Sequence, residues 1–171
     1  MRPISDEFLL NISEISATLV GLFVVGVFSY ADSGFRQLDH RVRTVVEPYL
    51  RVGTTIVLVL FAIPLLVSIA LVALEPPFAT GLFAVLSVLL VATNIGTARR
   101  INRVTRATRS RIYLFNEVIS TVAVVVIVAL PWLLGGLSPT REDLTWSILL
   151  AFAAGFLSVA TLLLSVFGSS R

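Results

Sequence analysis

Five stretches of this chain are each long and apolar enough to cross a lipid bilayer, and nothing else in the sequence constrains the fold as tightly. A helix needs about 20 mostly apolar residues to span the hydrocarbon. The qualifying stretches are residues 8–30, 50–74, 78–98, 112–134 and 144–167. Unpaired backbone groups are too costly in lipid for open strands, so the stretches read as helices. Composition agrees: of 171 residues, 57% are hydrophobic and 13% are charged. A water-soluble domain carries about twice that charge, and one of this size leaves too much surface in water to hide so much apolar side chain. The expected fold is all-α, a single polytopic transmembrane helix bundle over residues 1–171 with five spans. Four spans is the alternative, if polar residues hold the first segment in the interface. The unbroken apolar run Leu19–Phe28 favours five.

Arginine placement favours an odd number as well. The loop after the first span and its margin carry Arg36, Arg41, Arg43 and Arg51. The loop after the third carries Arg99, Arg100, Arg103, Arg106, Arg109 and Arg111. With Arg171 these make eleven on one side, against Arg2 and Arg141 on the other. Cytoplasmic loops hold the excess of basic residues, so the N-terminus is expected outside and the C-terminus in the cytoplasm. All 13 basic residues are arginine, the usage of a GC-rich bacterial genome, and the expected location is the plasma membrane, here the bacterial inner membrane. The acidic lead through Asp6 and Glu7 does not look like a cleavable signal, which opens with positive charge.

Two segments suit the membrane surface. Residues 32–47 place Phe35, Leu38, Val42 and Val45 on one helical face, with Arg36, Asp39, His40, Arg41 and Arg43 elsewhere around it. That pattern predicts a short amphipathic helix on the inner leaflet, and Pro48 then suits the first turn of the second span. The arginines from Arg99 to Arg111 extend the third helix past the surface and read as an anionic-lipid contact, each worth on the order of 1 kcal/mol near a charged leaflet. Their role in setting topology explains them equally well. Nucleic acid is not an expected partner, because no aromatic residues interleave the basic ones.

The costly residues are polar ones inside the spans. Glu14 and Glu117 are the acids well within them. An acid facing the centre of the lipid costs about 2.5–3.5 kcal/mol on an insertion scale. Each has polar neighbours at helical spacing: Asn11, Glu14, Thr18 and Gly21 on the first helix, and Asn116, Glu117, Ser120 and Thr121 on the fourth. The third helix has a seam of Thr80, Ala84, Ser87, Val91 and Asn94. These stripes are expected to turn into the bundle. One reading makes Asn11, Glu14, Thr18, Asn94, Asn116, Glu117, Ser120 and Thr121 an ion or proton pathway. A structural reading has the two acids reach interfacial water or clamp helices together.

Ser147, Ala151, Gly155 and Ser158 on the fifth helix form a small-residue stripe that lets helix backbones approach closely. The second span is the least polar and is expected to be the most lipid-exposed, with a kink at Pro64. Trp132 and Trp146 flank the last outer loop and fit an aromatic belt. A faint repeat links Phe8–Asn11 to Tyr113–Asn116 and Leu66–Val72 to Phe156–Leu162; a shift of three spans would make the two halves inverted, as in many transporters.

Reactive chemistry is thinly represented. There is no cysteine, one histidine (His40), and no phosphate loop, zinc-protease helix or nucleophile elbow. No metal, no cofactor and no enzyme activity are expected. The expected function is an oligomeric cation or proton channel or transporter using intramembrane glutamates, its pore between subunits because five short helices enclose little volume. The alternative is a non-catalytic assembly, regulatory or lipid-responsive subunit.

Overall fold

The computed structural model describes the backbone of residues 4–34, 53–108 and 111–168, and the side chains of 4–29, 53–96 and 120–160. Five helices make up this part. They are α1 (Asp6–Gly34), α2 (Gly53–Ala73), α3 (Pro76–Thr108), α4 (Arg111–Gly135) and α5 (Arg141–Gly168). Among the described residues there is no strand. Four helices, α1, α2, α3 and α5, are long and apolar enough to cross a membrane; the described apolar stretch of α4, Ser120–Gly135, is shorter. The first helix, whose polar residues raised the lower count, is among the four. The surface segment expected over 32–47 lies beyond Gly34 for most of its length, and with His40 and Pro48 falls outside the described residues.

The ends are set by local chemistry. Ser5 caps α1, its Oγ accepting from the Phe8 N–H at 3.2 Å, and Asp6 and Glu7 sit in the first turn, where the helix dipole favours negative charge. Leu74 is extended (φ −124°, ψ 165°) and ends α2; Pro76 and Pro77 then open α3, where a missing N–H costs nothing. Gly136 ends α4 in the left-handed region at φ 62°, its N–H donating to the Trp132 carbonyl at 3.0 Å. Thr140 and Asp143 form a capping box at the start of α5. The Asp143 carboxylate accepts from the Thr140 N–H at 2.8 Å and hydroxyl at 2.7 Å.

Helix directions alternate. Arg141 at the start of α5 pairs with Asp6 at the start of α1, so both helices begin at one end of the bundle. Ser13, seven residues into α1, donates to the carbonyl of Leu65, eight residues before the end of α2, at 3.2 Å. Thus α2 ends, and α3 begins, at this Asp6 end. The arginine-bearing end of α3, continuous to Thr108, and the start of α4 lie at the other.

At Pro64 the coil of α2 widens into a π turn, Ile63–Val67, which accommodates the missing N–H and the ring. This turn is the hub of the bundle: it touches α1, α3 and α5, while α4 lies against α3 and α5. Ile63, Pro64 and Val67 are buried there, with Leu9 and Ile12 from α1, Phe83 and Leu90 from α3, and Ile148 from α5 around them.

That arrangement corrects the expected position of the second helix. In the most apolar stretch of α2 56% of the residues are buried, against 22% in α1 and 33% in α3 and α5. It is the central helix and the most buried of the four. A helix apolar on all sides satisfies lipid and protein neighbours alike, so polarity alone does not separate the two positions.

Candidate functional site

The first helix buries one face and exposes the other. Leu9, Ile12, Ser13 and Ser16 are buried, the two serines at 4% and 0% exposure. Asn11, Glu14, Thr18 and Gly21 lie on the opposite side and are exposed. The polar stripe of α1 therefore turns out of the protomer, not into it as expected. The reason lies in what each group requires. A serine hydroxyl is satisfied inside a helix bundle by a carbonyl: Ser13 uses Leu65, and Ser16 donates to Ile12 at 2.8 Å. A carboxylate needs several donors, and the residues packed in the core with Leu9 and Ile12 of α1 are mostly apolar, with isolated serine hydroxyls among them.

Glu14 stands eight residues past Asp6, about 12 Å along the axis. Thr18 donates its hydroxyl to the Glu14 backbone carbonyl at 3.0 Å, not to the carboxylate. Among the described residues, neither the Glu14 carboxylate nor the Asn11 amide has a hydrogen-bond partner. A Cβ added at Gly21 would meet nothing within 4 Å, so among the described residues nothing packs on this side of α1 there.

A second polar group forms between α3 and α4. Asn94 is buried at 5% exposure, and its side-chain oxygen accepts from the Thr121 hydroxyl at 3.3 Å. Ser120 is half-buried beside Thr121. Of the α3 seam, Ser87 and Asn94 are buried and Thr80, Ala84 and Val91 half-buried. The side chains of Asn116 and Glu117 fall outside the described residues; their backbone lies in the second turn of α4, at the end of the bundle away from Glu14. The structure thus joins Asn94 to Thr121 and keeps Asn11, Glu14 and Thr18 on a separate, outer surface.

Among the described residues, three buried serines carry hydroxyls with no hydrogen-bond partner: Ser68 on α2, Ser87 on α3 and Ser147 on α5. Ser68 follows the π turn directly. Ser68 and Ser13 escape a search for acids and amides; the signal that could have found Ser68 is a serine four residues after a helix-interior proline, where backbone bonding is rearranged.

On α5, Ser147, Ala151 and Gly155 are buried and Ser158 is half-buried, its hydroxyl donating to the Ala154 carbonyl at 2.8 Å. Gly155 faces α2: a Cβ there would meet the ring of Phe61 at 3.2 Å. Arg99, Arg100, Arg103 and Arg106 lie along the extension of α3 and Arg111 opens α4, with their side chains outside the described residues, as is Arg109 altogether. Trp146 is 55% exposed near the Asp6 end. Among the described residues, no three His, Asp or Glu side chains group to hold a metal. No family model matches the chain, and no curated protein or solved structure matches it either.

Proposed function

We propose that this protein is a five-span membrane protein that passes protons or small cations along a route completed by neighbouring copies of the chain. The observation that carries this reading is the outward face of α1. An acid sits about 12 Å into a helix that is long and apolar enough to cross a membrane, with an amide and a hydroxyl on the same side and, among the described residues, no hydrogen-bond partner for its carboxylate. Left against hydrocarbon it costs about 2.5–3.5 kcal/mol. A water-filled junction between subunits removes that cost and gives the acid a cation to attract.

The fifth span is α4, whose 25 residues reach about 37 Å at helical rise. The arginine bias puts the Asp6 end outside and the C-terminus in the cytoplasm of a bacterial inner membrane, with the arginines from Arg99 to Arg111 against anionic lipid. Glu14 then attracts cations from the outer side, and Glu117 serves the inner.

Flux in proteoliposomes tests the reading. Glu14→Gln is expected to cut proton or cation flux at least tenfold, and Glu14→Gln with Glu117→Gln to abolish it. Wild-type flux in the double variant rejects it. A second reading, a non-catalytic assembly or regulatory subunit, rests on the same open face of α1, which a different membrane protein would then cover. Recovery of a stoichiometric second protein, with no flux from the pure chain, favours that reading.

A further inference from the structure

The exposed side of α1 has a spacing that goes beyond a cluster around Glu14. Asn11, Glu14, Thr18, Gly21, Val25 and Phe28 follow one another at intervals of three, four, three, four and three. That is the 3.5-residue repeat of a helix made to wind against another helix. All six are exposed, Val25 at 64% and Phe28 at 72%. They lie on the side of α1 away from Leu9, Ile12 and Ser16, which are buried against the bundle.

We propose that a second copy of this chain lays its own α1 along this seam, parallel and in register. Copies that insert by the same arginine rule share one orientation, so two α1 helices meeting around an axis normal to the membrane run the same way. Like residues then fall in the same layer. The upper layers are polar, and the Asn11 amides one layer away offset the like charge of the two Glu14 carboxylates that share a layer. Among the described residues the Asn11 amide is a donor without a partner, and the Glu14 carboxylate, one layer below, is an acceptor without one. In a parallel pair each Asn11 stands one layer from the neighbouring copy's Glu14. Thr18 and Gly21 keep the next layers narrow, and small residues are what permits close approach in lipid. Val25 and Phe28 close the seam with apolar contact. The proposal rests on the reading that a neighbouring copy covers α1, and it adds the face, the direction, the register and a division of the seam. The Asn11–Glu14 end is polar and open to water; from Thr18 to Phe28 the two helices are in close contact.

The chain contains no cysteine, so single cysteines report contacts without background. Thr18→Cys, Gly21→Cys, Val25→Cys and Phe28→Cys are each oxidised in native membranes, with Ile15→Cys and Gly26→Cys, exposed but off the seam, as comparisons. Disulfides form when Cα atoms come within about 4.4–6.8 Å. The expected result is dimer bands at 18, 21, 25 and 28 at least fivefold stronger than at 15 and 26. Equal bands at all six positions, or none at any, overturn the seam. Should the variants fail to accumulate, the mass of the unaltered chain in nanodiscs decides: more than one copy per particle supports the proposal, and a monomer at every concentration overturns it. The outcomes separate from those of the flux test. Seam cross-links with wild-type flux in the glutamate double variant keep the interface and remove the permeation reading. Glutamate-dependent flux without seam cross-links removes the interface.

Discussion

The ring of Phe61 in α2 lies against Gly155 in α5 so closely that a Cβ on that glycine would meet three ring carbons at 3.2–3.3 Å. Phe61 is itself 1% exposed and held edge-on by Phe152, ring centroids 6.1 Å apart and planes at 77°. It has little room to yield. Gly155→Ala is therefore expected to destabilise the bundle by about 1–3 kcal/mol through overpacking, against a gain of about 1 kcal/mol in helix propensity. Thermal unfolding in detergent measures the net. Phe61→Leu combined with Gly155→Ala is expected to recover part of the loss, since the two side chains share one space.

Hydroxyl groups in the interior divide by whether the protein answers them. Ser13 loses a bond to the Leu65 carbonyl when truncated, and interhelical hydrogen bonds in membranes average about 0.6 kcal/mol, with a maximum near 1.7. Ser147 has no partner for its hydroxyl among the described residues. Ser13→Ala is expected to lower stability by about that amount, and Ser147→Ala to leave it unchanged or raise it slightly, since no bond to a protein group is lost. A reversed order in unfolding measurements would show that Ser147 Oγ is answered by something other than protein.

At the Asp6 end, the capping box of α5 should outweigh the ion pair beside it. Thr140→Ala removes a cap worth about 1 kcal/mol. Asp6→Asn breaks a pair whose acid is 62% exposed; surface pairs contribute about 0.2–1 kcal/mol, and the effect should shrink in high salt. Unfolding midpoints at low and high ionic strength distinguish the two, because the cap loss persists while the ion-pair loss fades.

The helices were legible in the sequence because apolar length alone sets them. Their neighbours were less so. The second span reads as lipid-facing from its composition and is central in the structure, because Ile, Val and Leu carry no mark of whether protein or lipid surrounds them. The α1 stripe was visible at Asn11, Glu14, Thr18 and Gly21, yet its direction was not. Polar groups avoid lipid, which argues for turning inward, but the chain alone does not reveal that another subunit can supply the same shelter. The Pro64 turn was legible as a distortion; that it would become the contact point for α1, α3 and α5 depends on long-range packing. Ser147, Ala151 and Gly155 stood out by spacing, while their neighbour Phe61 had no signature at all.

The central claim is that the Glu14 face of α1 borders water rather than lipid, and thiol labelling tests it most directly. Glu14→Cys and Ile15→Cys place a sulfhydryl at nearly the same depth on two sides of one helix. A membrane-impermeant reagent added from the Asp6 side of sealed vesicles is expected to modify position 14 at least tenfold faster than position 15. Equal, slow labelling at both positions would contradict the account, because it would put the acid's face in hydrocarbon or in a dry contact.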